Sequence, residues 1–256
     1  MNREEINLLT AASRAKLDDL KRHPARYFSR AAIAGAYVMI GSLLSVVTSA
    51  WFYQDSMGTA KLMGAFTFSA ALILVVLIGG ELFTGTNFVL GVSLYEKKAK
   101  LGEVLRLWLV CYVGNLVGVT VLALLIDASG ASGALMSEYL AAVVPGRLAC
   151  GVLELVCRGV MCNFLVCSGV FAGMKLKSES GKCIAIITVI TTFVLVGFEH
   201  SVANMATFTL YVLLVPGADV MGCVWNLFWV TAGNVLGGAV LLALPVWISA
   251  QPASKD

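Results

Sequence analysis

Six long apolar segments alternate with short polar ones along this chain. They cover about residues 28–53, 62–95, 103–126, 148–174, 183–215 and 222–249. A helix needs about 20 apolar residues to cross the hydrocarbon core of a membrane. The first, third, fourth and sixth segments have that length, with some residues left for tilt or overhang. The pattern therefore predicts an all-α membrane protein with six spans.

The second and fifth segments are too long to be single straight spans. Each holds more than thirty residues, and a straight helix of that size would be about 50 Å long at 1.5 Å per residue. Each carries glycines, a glutamate and an asparagine in its second half. Backbone that leaves the helix at membrane depth survives only where it is buried in protein or lines a cavity. Both segments are therefore predicted to be broken helices.

The two interruptions also hold the only charged residues and the only histidine of the second and fifth segments. Glu81 lies in the first, while Glu199 and His200, one of only two histidines, lie in the second. A residue that can ionise inside a membrane is costly, and it marks a pathway or a functional site. The interruptions are thus the candidate functional region.

An internal repeat relates the two halves of the chain. The third segment contains Gly114-Asn115 and the sixth contains Gly233-Asn234, an offset of 119 that nearly equals the 118 between the two glutamates. Each repeat has three spans, an odd number, so the second copy must enter the membrane upside down. Inverted repeats with broken helices at matching places are typical of transport sites near the membrane midplane. The predicted repeats are residues 28–126 and 148–249.

Composition supports the membrane assignment, and basic residues give the orientation. The chain is 59% hydrophobic and 13% charged, whereas a soluble domain carries about 25% charged residues. Fifteen of the eighteen lysines and arginines fall on one side of the six predicted spans, leaving Lys61, Arg147 and Arg158 on the other. The positive-inside rule then places both termini in the cytoplasm.

The segments outside the spans are short. Residues 1–27 are expected to form an amphipathic helix at the cytoplasmic membrane surface that ends near Pro24. This stretch is charged and lacks a secretory signal. Residues 28–249 are predicted to form the six-span membrane domain, and residues 250–256 a cytoplasmic tail.

The sequence gives little reason to expect an enzyme. Its seven cysteines lie in or beside apolar spans, as small apolar residues in helix packing do. Two histidines make no haem or metal set, and there is no glycine-rich nucleotide loop. No catalytic residue, metal, cofactor or nucleic-acid partner is expected.

Several stretches together form a specific pattern. They are Gly80-Glu81-Leu82-Phe83-Thr84-Gly85, Gly197-Phe198-Glu199-His200-Ser201-Val202-Ala203-Asn204-Met205, Cys162-Asn163, Leu165-Val166-Cys167 and the two Gly-Asn pairs. They resemble the formate/nitrite transporter family, and the resemblance covers nearly the whole chain. It implies an aquaporin-like fold and a homopentamer in the lipid bilayer. Each protomer would have one pore, which passes small monovalent anions or their acids.

The resemblance assigns His200 as the central pore histidine, with Thr84 facing it from the other interruption. Asn163, Asn204 and Glu199 complete the candidate pore set. Two alternatives stay open: His200 is a core histidine satisfied by Glu199 or a backbone carbonyl, and Thr84 only orders its loop.

Structural roles are favoured for the other polar residues of this region. The asparagines, Asn115 and Asn234 included, are expected to tie unwound backbone to neighbouring helices. Glu81 and Glu199 are expected to accept hydrogen bonds from loop N–H groups.

Further residues follow from the same resemblance. It implies apolar constrictions on either side of the histidine, formed by Phe68, Leu72, Leu82, Phe83 and Phe193. Where the family usually carries a vestibule lysine, this chain has Arg147, which would attract anions without releasing a proton. An ordinary basic residue flanking a helix is the alternative. Glu154 and Arg158 are expected to form an i, i+4 pair.

The predicted function is a channel or transporter for small monovalent anions in the cytoplasmic (inner) membrane. Formate is placed first as the family's commonest assignment, and nitrite and hydrosulfide are alternatives because they make similar demands on a pore. An aquaporin-like pore for neutral solutes is a further alternative, although the twin Asn-Pro-Ala signature is absent.

Overall fold

The computed structural model describes residues 2–251, and all regular secondary structure in this part of the chain is helical, without strands. Its helices are α1 Arg3–Arg22, α2 Pro24–Phe52, α3 Met57–Leu74, α4 Phe83–Tyr95, α5 Leu101–Ser129, α6 Gly133–Leu148, α7 Val152–Lys175, α8 Glu179–Val196, α9 Ser201–Leu214, α10 Val220–Leu236 and α11 Ala243–Ser249. A π-helical turn, Val75–Gly79, extends α3, and another, Gly237–Leu242, joins α10 to α11. Within these residues, six helices are long and apolar enough to cross a membrane, which confirms the six predicted spans.

Both over-long segments are broken, as predicted. The first break begins at Gly79, the last residue of the π turn, and runs to residue 82, just before α4; the second, residues 197–200, separates α8 from α9. Each begins at a glycine with a positive φ angle, 107° at Gly79 and 89° at Gly197. Glycine adopts this conformation readily because it has no Cβ. The chain then runs extended to the next helix.

Asn115 of α5 holds the backbone of the first break. Its Nδ2 donates to the carbonyl oxygens of Glu81 at 2.9 Å and Ala31 at 2.8 Å, and its Oδ1 accepts from Phe83 N at 2.9 Å. The Glu81 amide donates to the Arg30 carbonyl at 3.1 Å. One buried side chain thus satisfies polar groups on both sides of the break and ties them to α2.

Asn234 of α10 does the same for the second break. Its Nδ2 donates to the carbonyls of Glu199 and Gly159, both at 2.9 Å, and its Oδ1 accepts from Ser201 N at 2.8 Å. The Glu199 amide donates to the Arg158 carbonyl at 3.3 Å. The two sets correspond atom for atom, as inverted repeats require, and the structure confirms the expected role of both asparagines.

Glycines let two helix pairs approach closely enough for these bonds. A Cβ on Gly118 of α5 would overlap the Ala32 carbonyl of α2, and one on Gly237 would overlap the Val160 carbonyl of α7. These contacts lie within one protomer. The small residues of the third and sixth spans therefore serve packing inside the bundle.

Helix α1 is docked on the bundle by its apolar side. Ile6 and Leu9 are fully buried in a cluster with residues of α4 and α7, among them Phe88 and Phe171. Three ion pairs also hold α1 on the bundle: Arg3 with Glu96, Lys175 with Glu5, and Lys16 with Glu81. The hydrogen bond from Lys175 lowers the pKa of the Glu5 carboxyl. The apolar residues expected to lie on a membrane surface are thus covered by protein, because α4 and α7 offer them an apolar groove.

Replacing Asn115 or Asn234 by alanine should each lower the free energy of unfolding by about 2–4 kcal/mol, because buried N–H and C=O groups lose their partners. Thermal unfolding of the purified protein in detergent measures this effect. Asn7→Ala, at an exposed position of α1, is the matched control and should melt like the wild type. Equal melting of all three variants would contradict the assigned role of the asparagines.

Candidate functional site

The two breaks meet through one side-chain pair. Thr84 is the second residue of α4, and His200 is the residue just before α9. Their side chains contact each other, with Thr84 Oγ1 and His200 Nε2 2.9 Å apart, and both are buried, His200 with 4% of its surface exposed. The structure thus brings together the two polar residues expected to face each other.

The hydrogen bonds of His200 fix its tautomer. Its Nδ1 accepts from the Ala203 amide at 3.0 Å and so caps the start of α9. A nitrogen that accepts carries no hydrogen, so the proton of the neutral ring lies on Nε2. Nε2–H then donates to the Thr84 hydroxyl oxygen. The partners of the His200 ring are thus Thr84 and the Ala203 amide, and not Glu199 or a backbone carbonyl as the core-histidine alternative expected; the pore role of His200 stays a prediction.

Two cavities meet at His200. The larger, which we call the vestibule, has a volume of about 490 Å³ and opens at the end of the bundle away from α1. The smaller has a volume of about 10 Å³, which is about the least that can hold one water molecule. Phe68, Phe193 and His200 line both. These three rings therefore stand at the boundary between the open cavity and the small closed one.

The rings at this boundary contact one another. The Phe68 and Phe193 centroids are 6.1 Å apart in an edge-to-face arrangement, and Phe193 stacks on His200 at 6.0 Å. Leu72 and Leu82 line the small cavity. Four of the five residues expected in the constrictions thus surround the histidine.

Phe83 is placed differently. Its ring packs edge-to-face on Tyr112 of α5, with centroids 5.0 Å apart. The Phe83 amide is held by Asn115, which turns this first residue of α4 towards α5. We therefore leave Phe83 out of the constriction.

Arg147, near the end of α6, is ion-paired inside the vestibule. Its Nε lies 3.1 Å from Glu199 Oε1, and its Nη2 lies 2.7 Å from Glu199 Oε2 and 2.5 Å from Asn204 Oδ1. The guanidinium also lies over the ring of Phe208, 5.4 Å from its centroid. The charge of Arg147 is therefore neutralised by the buried Glu199 carboxylate. Arg147 is neither an unpaired charge in the vestibule nor an ordinary basic residue beside a helix end.

The partners of the two glutamates correct the expectation that loop N–H groups would satisfy them. The Glu199 carboxylate accepts from Arg147 and, at 2.6 Å, from Asn204 Nδ2. The Glu81 carboxylate lies 2.5 Å from Lys16 Nζ and 3.5 Å from Arg30 Nη2. Both carboxylates are about 4% exposed. A charged partner offsets the cost of burying an ion better than a neutral amide does.

Asn163 and Asn204 have different roles. Asn163 Nδ2 donates to the Thr84 carbonyl at 3.2 Å and the Asn234 carbonyl at 2.6 Å, so it ties α4 to α10 through α7. Asn204 lines the vestibule and bonds side chains instead of backbone: Glu199, Arg147 and Asn226, the last at 2.8 Å. Both carbonyls that Asn163 bonds lie in helices, and Asn204 bonds only side chains, so the expected tie to unwound backbone is wrong for both residues.

Sequence reasoning missed two residues of this network. Asn226 lies eight residues before Asn234, and with Val230 they form one buried stripe of α10. Asn87, which accepts from Asn163 Nδ2 at 3.0 Å, lies three residues after Thr84. Helical spacing was the available signal for both. Within residues 2–251, no group of three or more His, Cys, Asp or Glu side chains is placed to hold a metal ion.

Comparison with known proteins gives consistent matches. Residues 6–248 match the family described as formate/nitrite transporter. The nitrite transporter NirC of Escherichia coli (strain K12) is 32% identical over 252 residues, covering 96% of this chain and 91% of that protein.

Two solved structures are similar over most of their length. One, described as an FNT family ion channel, has a TM-score of 0.90 at 29% identity. The match covers 97% of this chain and 99% of that one. The other, described as a pentameric formate channel with formate bound, has a TM-score of 0.77 at 28% identity. The match covers 90% of this chain and 98% of that one. These relatives are transporters and channels rather than enzymes.

Removing the charge of Arg147 should destabilise the protein strongly. Arg147→Gln leaves the Glu199 carboxylate buried without its cation, which costs about 3–5 kcal/mol. The double variant Arg147→Gln/Glu199→Gln should recover most of that loss. Thermal unfolding in detergent measures both.

The matched control is Arg158→Gln. Arg158 pairs with Glu154, as expected, but 48% of the Glu154 side chain is exposed, so the loss should stay below about 1 kcal/mol. If Arg147→Gln melted like Arg158→Gln, the Arg147–Glu199 pair would not be the anchor described here.

Proposed function

This chain belongs to the formate/nitrite transporter family, and from that premise we propose that it forms a pore for a small monovalent anion or its weak acid, with formate as the first candidate substrate. The observation that carries the proposal is the His200–Thr84 pair, placed where an open vestibule meets a cavity closed by phenylalanine rings. The similarity to a formate channel supports formate. The similarity to a nitrite transporter makes nitrite the second candidate, and hydrosulfide remains a third.

The apolar boundary gives the pore its selectivity. A bare anion faces a cost of tens of kcal/mol in an apolar constriction, whereas a neutral weak acid does not. An anion held between Phe68 and Phe193 therefore needs hydrogen-bond donors at that depth. His200 Nε2–H supplies one, and the Thr84 hydroxyl supplies another when it rotates. In the proposed pathway the anion replaces the Thr84 oxygen as the acceptor of the His200 proton.

The geometry favours His200 as a neutral donor. A second proton would have to sit on Nδ1, where the Ala203 N–H already points. Two hydrogens cannot share that bond, so an imidazolium would lose the cap of α9. We therefore favour a hydrogen-bond role over a standing positive charge. A direct loan of the Nε2 proton to the passing anion is the alternative that the variants below distinguish.

We further propose that the protein lies in the cytoplasmic (inner) membrane with both termini in the cytoplasm, on the basis of its lysine and arginine distribution. The protein is a multi-pass membrane protein, and we infer a homopentamer with one pore per protomer from the similarity to a pentameric formate channel. Large apolar side chains stay exposed on the outer faces of α5 and α10, including Leu109, Leu125, Trp225 and Phe228. Lipid and neighbouring protomers would cover these faces.

Native mass spectrometry in mild detergent tests the assembly. The expected result is a predominant pentamer, because a similar structure is described as a pentameric formate channel. His200→Asn should give the same pentamer, since His200 is buried inside one protomer. A monomer as the main species in several detergents would contradict the proposed assembly.

His200→Phe and His200→Asn test the pore. Phenylalanine removes the donor, and a hydrogen bond to an anion is worth about 1.5–3 kcal/mol, so anion flux should fall about 10- to 100-fold. Asparagine keeps a donor and is also a good helix cap. In the hydrogen-bond version it should transport with a nearly unchanged pH response. In the proton-loan version it should lose the coupling between anion and proton.

The measurement is stopped-flow uptake of formate, nitrite and hydrosulfide into proteoliposomes at two pH values. Glycerol uptake, measured in parallel, tests the neutral-solute alternative. Monodisperse assembly of each variant is checked first, because phenylalanine cannot cap α9. If both variants assembled and passed all three anions like the wild type, His200 would be a core histidine and the proposal would fail.

A further inference from the structure

Four basic residues cluster at the start of α5. Lys97, Lys98 and Lys100 lie in the loop before the helix, Arg106 lies in its second turn, and all four are exposed. None of them forms an ion pair with a residue in the described part of the chain. We call these four residues the basic cluster.

The two acids nearest to the basic cluster in the sequence have other partners. Glu96, at the start of the loop, pairs with Arg3 of α1, which also places this loop at the end of the bundle where α1 docks. The Glu103 carboxylate accepts from the Lys100 amide at 3.2 Å. Glu103 is thus the only acid beside the cluster without a cation of its own, and the cluster keeps a net positive charge.

Arg106 stands on an apolar, outward face of α5. Leu105 and Leu109 are each more than half exposed, and Arg106 lies three residues before Leu109, on the same side of the helix. Five residues separate Arg106 from the start of α5 at Leu101, which corresponds to about 7.5 Å of helix. An arginine at that depth lays its apolar stem along the helix and brings its guanidinium to the level of the lipid headgroups.

The internal repeat shows that the fold does not require an arginine at this position. With the offset of 119, Arg106 corresponds to Trp225 of α10, and Leu109 corresponds to Phe228. Trp225 and Phe228 are also more than half exposed. The second repeat therefore builds the same outward face without a charge, and packing alone does not account for Arg106.

The difference between the two repeats matches a difference between the two membrane surfaces. Inverted repeats place the starts of α5 and α10 at opposite ends of the bundle. Tryptophan is common at both membrane surfaces, whereas a negative surface potential is a property of the cytoplasmic leaflet. A group of four lysines and arginines directly beside a membrane span is typical of sites for anionic lipids.

We propose that the basic cluster binds an anionic phospholipid of the cytoplasmic leaflet. The lipid phosphate lies between the loop lysines and Arg106, and the acyl chains lie along Leu105 and Leu109. This inference rests on the proposed orientation, with the α1 end of the bundle in the cytoplasm. It does not involve the pore, so lipid binding by the purified protein and anion uptake can fail independently.

The measurement is thermal unfolding of the purified protein in a nonionic detergent, titrated with phosphatidylglycerol or with phosphatidylcholine of the same acyl chains. A ligand that binds the folded protein raises its melting temperature in proportion to its affinity and concentration. We expect phosphatidylglycerol to stabilise the wild type at lower concentrations than phosphatidylcholine. Soluble glycerol 3-phosphate, tested in parallel, measures binding of the headgroup phosphate without acyl chains.

Arg106→Trp is the most direct variant, because the second repeat already carries tryptophan at the equivalent position. Each basic residue near an anionic lipid surface contributes about 1 kcal/mol, so about fivefold more phosphatidylglycerol should be needed for the same stabilisation. Arg106→Lys keeps the charge and should bind nearly as the wild type does. The triple variant Lys97→Gln/Lys98→Gln/Lys100→Gln should weaken binding about 10- to 100-fold.

The matched control is Arg14→Gln. Arg14 is exposed on α1 and makes no ion pair with the described residues, but the apolar side of α1 is covered by the bundle. Removing this charge should leave the phosphatidylglycerol titration unchanged. Equal weakening by Arg14→Gln and Arg106→Trp would show an effect of net charge only and would overturn the site.

Three other outcomes would also overturn the proposal. Equal stabilisation of the wild type by both lipids would mean that Arg106 only reaches for the membrane surface. Glycerol 3-phosphate as effective as the lipid would make the cluster a site for free phosphate. If Arg106→Trp bound phosphatidylglycerol normally but lost the oligomer in native mass spectrometry, this face would contact a neighbouring protomer instead of a lipid.

Discussion

The structure depends on satisfying backbone that has left the helix at membrane depth. The hydrocarbon core offers no water, so each N–H or C=O that is left unpaired in it costs several kcal/mol. Asn115 and Asn234 meet this demand with the same three bonds in each repeat. Because a side-chain amide has both donors and an acceptor, one residue can bridge a break and reach a neighbouring helix. The breaks are thereby as fixed as the helices beside them.

The buried carboxylates show how elements outside the repeats complete the fold. Glu81 in the first break takes Lys16 from α1, and Glu199 in the second break takes Arg147 from α6. Neither α1 nor α6 belongs to the six spans. Lys16 joins Arg30 of α2 at the Glu81 carboxylate, and Arg147 is the cation that pairs with Glu199. The N-terminal helix and the helix between the repeats are thus fastened to the two places where the proposed path is formed.

Different kinds of information in the sequence account for what could be predicted. The breaks follow from a length that no bilayer accommodates, and the paired asparagines follow from the repeat offset. These are local or periodic signals. The ion pairs join residues 65 and 52 positions apart, and no periodicity encodes them. Helix α6, which carries Arg147, lies between the third and fourth apolar segments, where the hydrophobic pattern predicted only a polar connection. The direction of the Phe83 ring depends on Tyr112, which only packing decides.

The chemistry at the centre is a consequence of helix capping. Helix α9 begins inside the membrane, and its first amides need an acceptor. His200 Nδ1 supplies one to Ala203, and this bond leaves Nε2 as the only place for the proton of the neutral ring. Nε2–H then points across to Thr84 in the other break. An aspartate cap, whose ionised carboxylate has acceptors only, would leave no such donor. The same bond that stabilises the broken helix thus orients the donor that, in the proposed pathway, meets the anion.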